Sequence, residues 1–177
     1  MARRNIFLVG MMGAGKTTLG RALAQRLRMP FVDTDRVMVE RTGVPVTTIF
    51  EIEGEDGFRK RESALLAELA ESEGQVIATG GGAVLAECNR DLMRRRGTVI
   101  YLRAQLDALW ERTRHDGSRP LLKTPDPRAT LAALLEKRDP LYHAVAHIIV
   151  DTGAQSASAL ASRVLAALRQ SHAGAVR

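Results

Sequence analysis

The segment GMMGAGKT, residues 10–17, constrains the fold more than any other part of the chain. It matches the pattern G-x-x-x-x-G-K-[ST], and it lies between an apolar run at residues 6–9 and a helical repeat of Leu19, Leu23 and Leu27. In this setting the glycines let successive backbone N–H groups turn toward phosphate oxygens, and the following helix directs its positive end at them. The segment therefore predicts a phosphate-binding loop between a strand and a helix.

Strands and helices alternate along the rest of the chain. Strands are expected at residues 6–9, 31–32, 76–78, 99–102 and 147–150. Helices are expected at residues 19–27, 36–41, 47–53, 58–71, 89–96 and 105–112. A further helix is expected to lead to Pro140, and a last helix to carry Leu160, Val164 and Leu168. Such alternation predicts an α/β fold with a five-stranded parallel sheet covered on both faces. Residues 114–127 hold three prolines and a glycine and are expected to form an exposed loop. Residues 171–177 are expected to form a flexible tail.

Composition narrows the class of protein. A chain of 177 residues with 45% hydrophobic and 26% charged residues has the length and composition of one soluble domain. Cys88 is the only cysteine, which excludes a disulfide framework. No run of 18 or more apolar residues occurs, so no membrane span is predicted. We expect a cytoplasmic protein.

The net charge of +6 agrees with two kinds of partner, nucleic acid or small anions. Aromatic residues make up only 4% of the chain, so stacking platforms for single strands are scarce. The only tight basic cluster, residues 94–96, closes a predicted helix, where cations suit the helix dipole. We therefore expect small anionic ligands, with no nucleic acid and no membrane as partner.

Two carboxylates follow the second predicted strand. Asp33 and Asp35 should lie at the same carboxyl edge of the sheet as the phosphate-binding loop, because ligands of open parallel sheets bind along that edge. Mg²⁺ takes oxygen ligands and keeps several waters, so one carboxylate reaching it through water is enough. For Asp33 the sequence leaves helix capping and metal support equally open. For Asp35 it favours contact with a substrate.

Six motifs occur in a fixed order: the phosphate-binding loop, D-T-D, G-F-R-x-x-E, T-G-G-G, R-P-L-L and R-x-P-L-Y. The ordered set closely resembles shikimate kinase over residues 5–168. The resemblance implies a P-loop kinase fold of the nucleoside-monophosphate-kinase type, a three-layer single domain over residues 1–170. It also implies substrate-binding helices at about residues 34–73 and a mobile lid at about 114–127.

The resemblance further implies an activity. The family transfers a phosphoryl group from ATP, with Mg²⁺, to a hydroxyl of shikimate and releases shikimate 3-phosphate and ADP. This reaction belongs to chorismate and aromatic amino-acid biosynthesis. The expected partners are ATP and shikimate, and a monomer is expected.

Residue roles carry over by position from the same resemblance. Catalytic roles fall on Lys16, Asp35 and Arg119, and metal ligation on Thr17 and Asp33. ATP is expected at Gly13, Ala14, Gly15, Lys16, Thr17, Thr18, Arg112, Arg119 and Gln155. Shikimate is expected at Asp35, Arg59, Gly80, Gly81, Gly82 and Arg138, with the two arginines on its carboxylate. The position before Arg119 is often basic in the family, whereas this chain has Ser118.

The three glycines of VIATGGG stand where a related kinase would carry a second metal-binding carboxylate. The resemblance implies that Asp33 and Asp35 on the neighbouring strand supply that carboxylate. It also implies that the glycine backbone approaches both the γ-phosphate and the substrate, where any Cβ would occupy the space in which the two ligands meet.

Two other functions agree with part of the sequence. A related small-molecule or nucleotide kinase explains the phosphate-binding loop but not the two separated arginines with the T-G-G-G turn. A P-loop regulatory switch or nucleic-acid-binding module explains the charge and the nucleotide site. The switch would hydrolyse nucleotide slowly without an acceptor and bind DNA or RNA in a salt-dependent manner.

Overall fold

The structure, a computed structural model, describes residues 4–174 of the chain. Its strands are β1 (Asn5–Val9), β2 (Phe31–Asp33), β3 (Val76–Ala78), β4 (Gly97–Arg103) and β5 (Ile148–Asp151). Its helices are α1 (Lys16–Leu27), α2 (Thr34–Thr42), α3 (Val46–Leu69), α4 (Glu87–Arg96), α5 (Leu106–Thr113), α6 (Pro127–Val145) and α7 (Ala157–Gly174). Short 3₁₀ turns cover Ala83–Leu85 and Pro120–Leu122.

The strands form one parallel sheet in the order β2-β3-β1-β4-β5, which confirms the predicted five-stranded α/β architecture. β1 is central, and its residue Phe7 pairs with Ile77 on one side and with Val99 on the other. Helices α1 and α7 pack together on one face, and α3, α4 and α6 cover the other. The carboxyl ends of β1, β2 and β3 therefore deliver three loops to one edge of the sheet.

The sheet interior is apolar because strands covered on both faces bury every side chain. Phe7, Leu8 and Val9 of β1 are fully buried, as are Ile77 of β3 and Ile100 of β4. A second, smaller core lies between α2 and α3, away from the sheet. Its buried members are Met38, Ile49, Phe58 and Leu65. The helices predicted to bind substrate thus have a core of their own.

α3 is broken at Gly54, whose φ of 70° and ψ of −178° are not helical. The sequence predicted two helices here, over 47–53 and 58–71, and the break agrees with that prediction. The second helix begins closer to the first than expected, because the chain turns within the single residue Gly54. Only glycine adopts this backbone conformation without strain.

The helix expected to lead to Pro140 does not end there, since α6 continues to Val145. Proline removes one intrahelical hydrogen bond and was therefore read as a helix stop. Pro140 and Glu136, the residue four positions before it, are both exposed, so water can replace the hydrogen bond that the Glu136 carbonyl loses. Tyr142 and Val145 are fully buried just beyond it, and their burial keeps the last turn of the helix in place.

The predicted tail and the predicted loop before α6 differ in how they compare with the structure. The predicted tail at residues 171–177 overlaps α7, which runs to Gly174, and residues 175–177 lie outside the described residues. Residues 114–126 link α5 to α6 with one 3₁₀ turn, in agreement with the predicted loop. Within residues 4–174, no helix is both long and apolar enough to cross a membrane.

Candidate active site

The phosphate-binding loop has the backbone that its glycines predict. Gly10, Gly13 and Gly15 have positive φ values of 146°, 79° and 95°. A Cβ on Gly10 would lie 2.6 Å from the Leu102 carbonyl oxygen, so β4 approaches too closely for any side chain there. Gly15 is the N-cap of α1, so the loop ends at the positive end of that helix.

Lys16 extends over the loop rather than into solvent. Its Nζ donates hydrogen bonds to the carbonyl oxygens of Gly10 (2.7 Å) and Met11 (2.9 Å). Burial is the main cause that lowers the pKa of Lys16; the nearby positive charges of Arg119 and Arg138 act in the same direction, Asp35 and Asp33 oppose them, and the net pKa is about 8. The ammonium is therefore held at the loop with little hydration, where a polyphosphate would bind it strongly.

Asp33 makes two kinds of contact, and one of them decides between the alternatives that the sequence left open. Its Oδ1 accepts hydrogen bonds from the backbone N–H groups of Asp35 (3.1 Å) and Arg36 (3.3 Å), and so caps α2. Its Oδ2 accepts from the hydroxyl of Thr17 at 2.7 Å. Helix capping is thus confirmed. The Thr17–Asp33 contact places two hard oxygen donors side by side at the start of α1, as magnesium prefers.

A first cavity, with a volume of about 390 Å³, opens over the phosphate-binding loop. We call it the nucleotide-side cavity because this loop motif predicts a nucleotide site. Its walls include the predicted residues Gly13, Gly15, Lys16, Thr17, Thr18, Asp33, Arg112 and Arg119. Arg112 donates to the carbonyl oxygens of Gly13 and Gly153, each at 3.0 Å, and so joins the loop to the segment after β5. Two predicted residues are not part of the wall: Ala14 is buried, and Gln155 donates to the Asp151 carbonyl oxygen at 2.7 Å.

A second cavity of about 400 Å³ lies between α2, α3 and the loop before α6. Asp35, Arg59, Arg138 and all three glycines of the T-G-G-G turn line it, so every residue predicted to contact shikimate shares one cavity. Burial raises the pKa of Asp35, and Asp33 adds to this effect, while Lys16, Arg119 and Arg59 oppose it. A raised pKa means that this carboxylate binds a proton more readily than an exposed aspartate does.

Arg138 is the most deeply buried cation in this cavity. Its side chain is only 1% exposed, and its Nε has no hydrogen-bond partner. A buried guanidinium costs several kcal/mol unless an anion pairs with it, roughly as for other buried ions. Arg138 thus brings a buried positive charge to the wall of this cavity, where an anionic ligand could pair with it.

Glu62 is a site residue that the sequence reasoning missed. It is 2% exposed, its Oε2 accepts from Arg59 Nη1 at 2.7 Å, and its Oε1 has no partner. Burial raises the pKa of Glu62, and the charge and hydrogen bond of Arg59 act against that shift. The spacing of three residues in G-F-R-x-x-E was the available signal, because it puts the two side chains on one face of a helix.

The T-G-G-G turn is shaped by the protein's own side chains. A Cβ on Gly80 would overlap the Glu62 carboxylate, and one on Gly82 would overlap the Arg59 guanidinium. A Cβ on Gly81 would meet only ordinary contacts, the nearest being the Gly10 carbonyl oxygen at 3.4 Å. The sequence attributed all three glycines to bound ligands. At positions 80 and 82, the ion pair between Glu62 and Arg59 already requires them.

Tyr142 of α6 stabilises the T-G-G-G turn through a contact with Gly81. It is fully buried, its hydroxyl donates to the Gly81 carbonyl oxygen, and its ring stacks on Tyr101 with centroids 4.9 Å apart. Burial raises the pKa of Tyr142, so the hydroxyl keeps its proton for this contact. Tyr142 therefore stabilises the turn by both packing and a hydrogen bond.

Arg119 lies in the walls of both cavities, on the loop between α5 and α6. Asp35, Gly81 and Met12 also line both. The two cavities therefore share one wall, with a carboxylate and a guanidinium on it. This wall is where a group would pass from one cavity to the other.

Comparison with known proteins agrees with this geometry. A family model described as shikimate kinase matches residues 12–169. The chain belongs to the shikimate kinase family. It is 59% identical to a shikimate kinase of Nitrosospira multiformis over 160 residues, which span 90% of this chain and 82% of that protein. It is 54% identical to a shikimate kinase of Burkholderia thailandensis over 161 residues, spanning 91% and 88% of the two chains.

Solved structures of the shikimate kinase family have the same fold. The shikimate kinase of Acinetobacter baumannii in complex with shikimate superimposes with a TM-score of 0.93 at 44% identity, over 96% of this chain and 94% of that one. The P-loop kinase fold and the family resemblance read from the six ordered motifs are thereby confirmed.

Proposed function

We propose that the protein is a shikimate kinase: it transfers the γ-phosphoryl group of ATP to a hydroxyl of shikimate, giving shikimate 3-phosphate and ADP, in aromatic amino-acid biosynthesis. Membership of the family supports the activity, and the two cavities that share a wall provide room for two substrates. A regulatory switch would need only the nucleotide-side cavity.

The unsatisfied Arg138 is the observation that carries the choice of substrate. Its buried guanidinium and that of Arg59 line the same cavity, and Arg138 Nε lacks a partner. Shikimate has one carboxylate on a ring with three hydroxyls, and arginine forks bind carboxylates with defined orientation. We assign the carboxylate to these two arginines and the ring hydroxyls to Asp35.

ATP is assigned to the other cavity. The N–H groups of the phosphate-binding loop and the N-terminus of α1 would bind its phosphates, and Lys16 would exchange its two carbonyl partners for phosphate oxygens. The exposed guanidinium of Arg112 and the neighbouring Gln155 would lie near the adenine.

The transfer requires alignment and charge neutralisation more than covalent help from the protein. The shikimate hydroxyl attacks the γ-phosphorus, the bond from that phosphorus to the bridging oxygen of ADP breaks, and the hydroxyl proton leaves to a base. Asp35, on the shared wall and with its pKa raised by burial and Asp33, is the base we assign. Lys16 and Arg119 neutralise the charge that develops on the transferred group.

Mg²⁺ is the cofactor that we propose, and the oxygen donors of Thr17 and Asp33 agree with it. Among the described residues no cluster of three or more His, Cys, Asp or Glu could bind a metal alone. Phosphate and water oxygens would therefore complete the coordination, as is usual for Mg²⁺. When bound, the ion supplies positive charge to the phosphates.

We also assign the helices around residues 34–73 to substrate binding and residues 114–127 to a lid. Because α2 and α3 share a small core of their own, these two helices would move together as one unit. Residues 118–121 of this loop line the second cavity, which we assign to shikimate and call the substrate cavity. Closure of the loop over this cavity would exclude water from the transferred group.

Titration of shikimate into Arg59→Ala tests the substrate assignment. We expect shikimate to bind about 10- to 100-fold more weakly, since a charge-assisted hydrogen bond contributes roughly 1.5–3 kcal/mol. Affinity for ATP without shikimate should not change. Arg61→Ala is the matched control, because Arg61 lies on the same helix but is exposed and pairs with Glu53.

A neutral analogue with a hydroxymethyl group in place of the carboxylate completes the test. It should bind weakly to the parent enzyme and lose little more on Arg59→Ala, because the interaction is already absent. Unchanged shikimate affinity in a folded Arg59→Ala protein would refute the carboxylate assignment. ADP release that shikimate does not stimulate in the parent would refute the proposed function.

A further inference from the structure

Asp116 forms a compact turn in front of Arg119. Its Oδ1 accepts hydrogen bonds from the backbone N–H of Ser118 (3.0 Å) and from the Ser118 hydroxyl. Its Oδ2 accepts from Arg119 Nε at 2.8 Å. The Asp116 carboxylate therefore binds the backbone and the hydroxyl of Ser118 as well as the side chain of Arg119.

The contact to Nε leaves the rest of the guanidinium available. Within residues 4–174, Arg119 Nη1 and Nη2 have no hydrogen-bond partner, and the side chain lines both cavities. Arginine presents five N–H donors in a rigid fork, so fixing the Nε edge also fixes the direction of the two terminal nitrogens. Pro120 and the buried Leu122 follow directly and hold the other end of this segment.

The carboxylate is ionised at neutral pH. Burial raises the pKa of Asp116, but the hydrogen bonds from Ser118 and the charge of Arg119 outweigh that effect and leave the pKa below its usual value. Both side chains are only about a third exposed, at 36% for Arg119 and 33% for Asp116. The pair is thus less screened than the fully exposed ion pairs of the surface.

We propose that Asp116 is a positioning residue: it holds Arg119 by the Nε edge so that the two terminal nitrogens face the phosphoryl group in transfer. The inference rests on the proposed role of Arg119. Ser118 contributes through the turn, by two hydrogen bonds to Asp116, at a position that is often basic in the family. Because Ser118 is uncharged, Arg119 is the only cation that pairs with Asp116 among the described residues.

Asp116→Asn tests this role with little change of shape. The amide oxygen still accepts from Ser118, so the turn is kept, but the amide nitrogen now opposes the Arg119 donor. We expect kcat to fall about three- to tenfold, because a partly exposed ion pair and a misplaced catalytic group have effects of about this size. KM for shikimate should not change. Asp107→Asn, which breaks the exposed pair with Arg128, is the matched control and should leave kcat unchanged.

A double-mutant cycle with Arg119→Ala decides whether Asp116 affects kcat directly or through Arg119. If Asp116 acts through Arg119, then Asp116→Asn lowers kcat in the parent and has no further effect in Arg119→Ala. An equal fall in both backgrounds, an unchanged kcat in the parent, or a raised kcat would each overturn the proposal. Asp116→Glu, which restores the charge, should recover most of the lost kcat and guards against a folding defect.

The same cycle separates the two assignments. If Arg119→Ala alone leaves kcat unchanged, the proposed role of Arg119 fails, and the role of Asp116 fails with it. If Arg119→Ala lowers kcat but Asp116→Asn does not, only the positioning role of Asp116 is wrong.

Discussion

Glu62 and Arg59 form the ion pair on which the shape of the substrate cavity depends. Glu62 is buried, and among residues 4–174 its only ion-pair partner is Arg59, at 2.7 Å. Removing Arg59 would leave the buried charge of Glu62 uncompensated, whereas Arg59 also pairs with Glu55 at 3.2 Å. Gly80 and Gly82 leave the space that these two side chains fill.

Substitution of Gly82 by Ala tests this dependence at the scale of one residue. The new Cβ would overlap the Arg59 guanidinium, which is the end of a flexible side chain and can be displaced. We expect the protein to fold and to bind ATP normally while its shikimate affinity falls about tenfold or more. Isothermal titration of each substrate measures both quantities.

Gly117→Ala is the control for that substitution. A Cβ at Gly117 meets no atom within 4 Å, so the same change of one methyl group should be tolerated. Normal shikimate affinity in the Gly82→Ala protein would show that Arg59 does not need the position it occupies in this structure.

At the scale of secondary-structure elements, the break in α3 determines where Arg59 lies in the substrate cavity. Gly54 turns the chain with φ 70° and ψ −178°, and the helix after it carries Arg59 and Glu62. A continuous helix through residue 54 would direct these side chains elsewhere. The glycine thus aims the second half of α3 at the cavity.

We expect Gly54→Ala to lower the free energy of unfolding by about 1–3 kcal/mol, since this backbone conformation is strained for any side chain. Shikimate affinity should fall with it, whereas ATP affinity should not, because no residue of α3 lines the nucleotide-side cavity. Chemical denaturation and substrate titrations measure these effects. A stable protein with parental shikimate affinity would mean that the break has no role in binding.

The same elements show what a sequence can and cannot predict. The strands, the phosphate-binding loop and the ordered motifs were readable because apolar periodicity and glycine spacing are local signals. The continuation of α6 past Pro140 was not, because tertiary burial of Tyr142 overrides a local stop signal. The reason for Gly80 and Gly82 was also hidden, since it depends on side chains about twenty residues earlier in the chain.

At the scale of the whole molecule, the lining of the two cavities has an excess of positive charge. Six cationic residues line them, namely Lys16, Arg36, Arg59, Arg112, Arg119 and Arg138, against the acidic residues Asp33, Asp35 and Glu62. The net charge of the chain is +6. Concave sites with an excess of one sign of charge attract oppositely charged ligands over a distance set by the ionic strength.

We therefore expect kcat/KM for shikimate to fall about three- to tenfold as the salt concentration rises from roughly 0.05 M to 0.5 M, because screening weakens the attraction. The value of kcat should change less, since the cavity interior is poorly screened. Steady-state kinetics over a salt series measures both. The neutral hydroxymethyl analogue should show a much weaker dependence, and an equal dependence for both ligands would contradict the electrostatic explanation.

The wall common to the two cavities has a consequence for how the substrates are held in the cell. Met12, Asp35, Gly81 and Arg119 face both spaces, so a ligand that reorders them on one side alters what the other side offers. Thermodynamic linkage makes such an influence mutual: the factor by which ATP changes the affinity for shikimate equals the factor by which shikimate changes the affinity for ATP. With the proposed substrates, the supply of either one sets how tightly the enzyme retains the other.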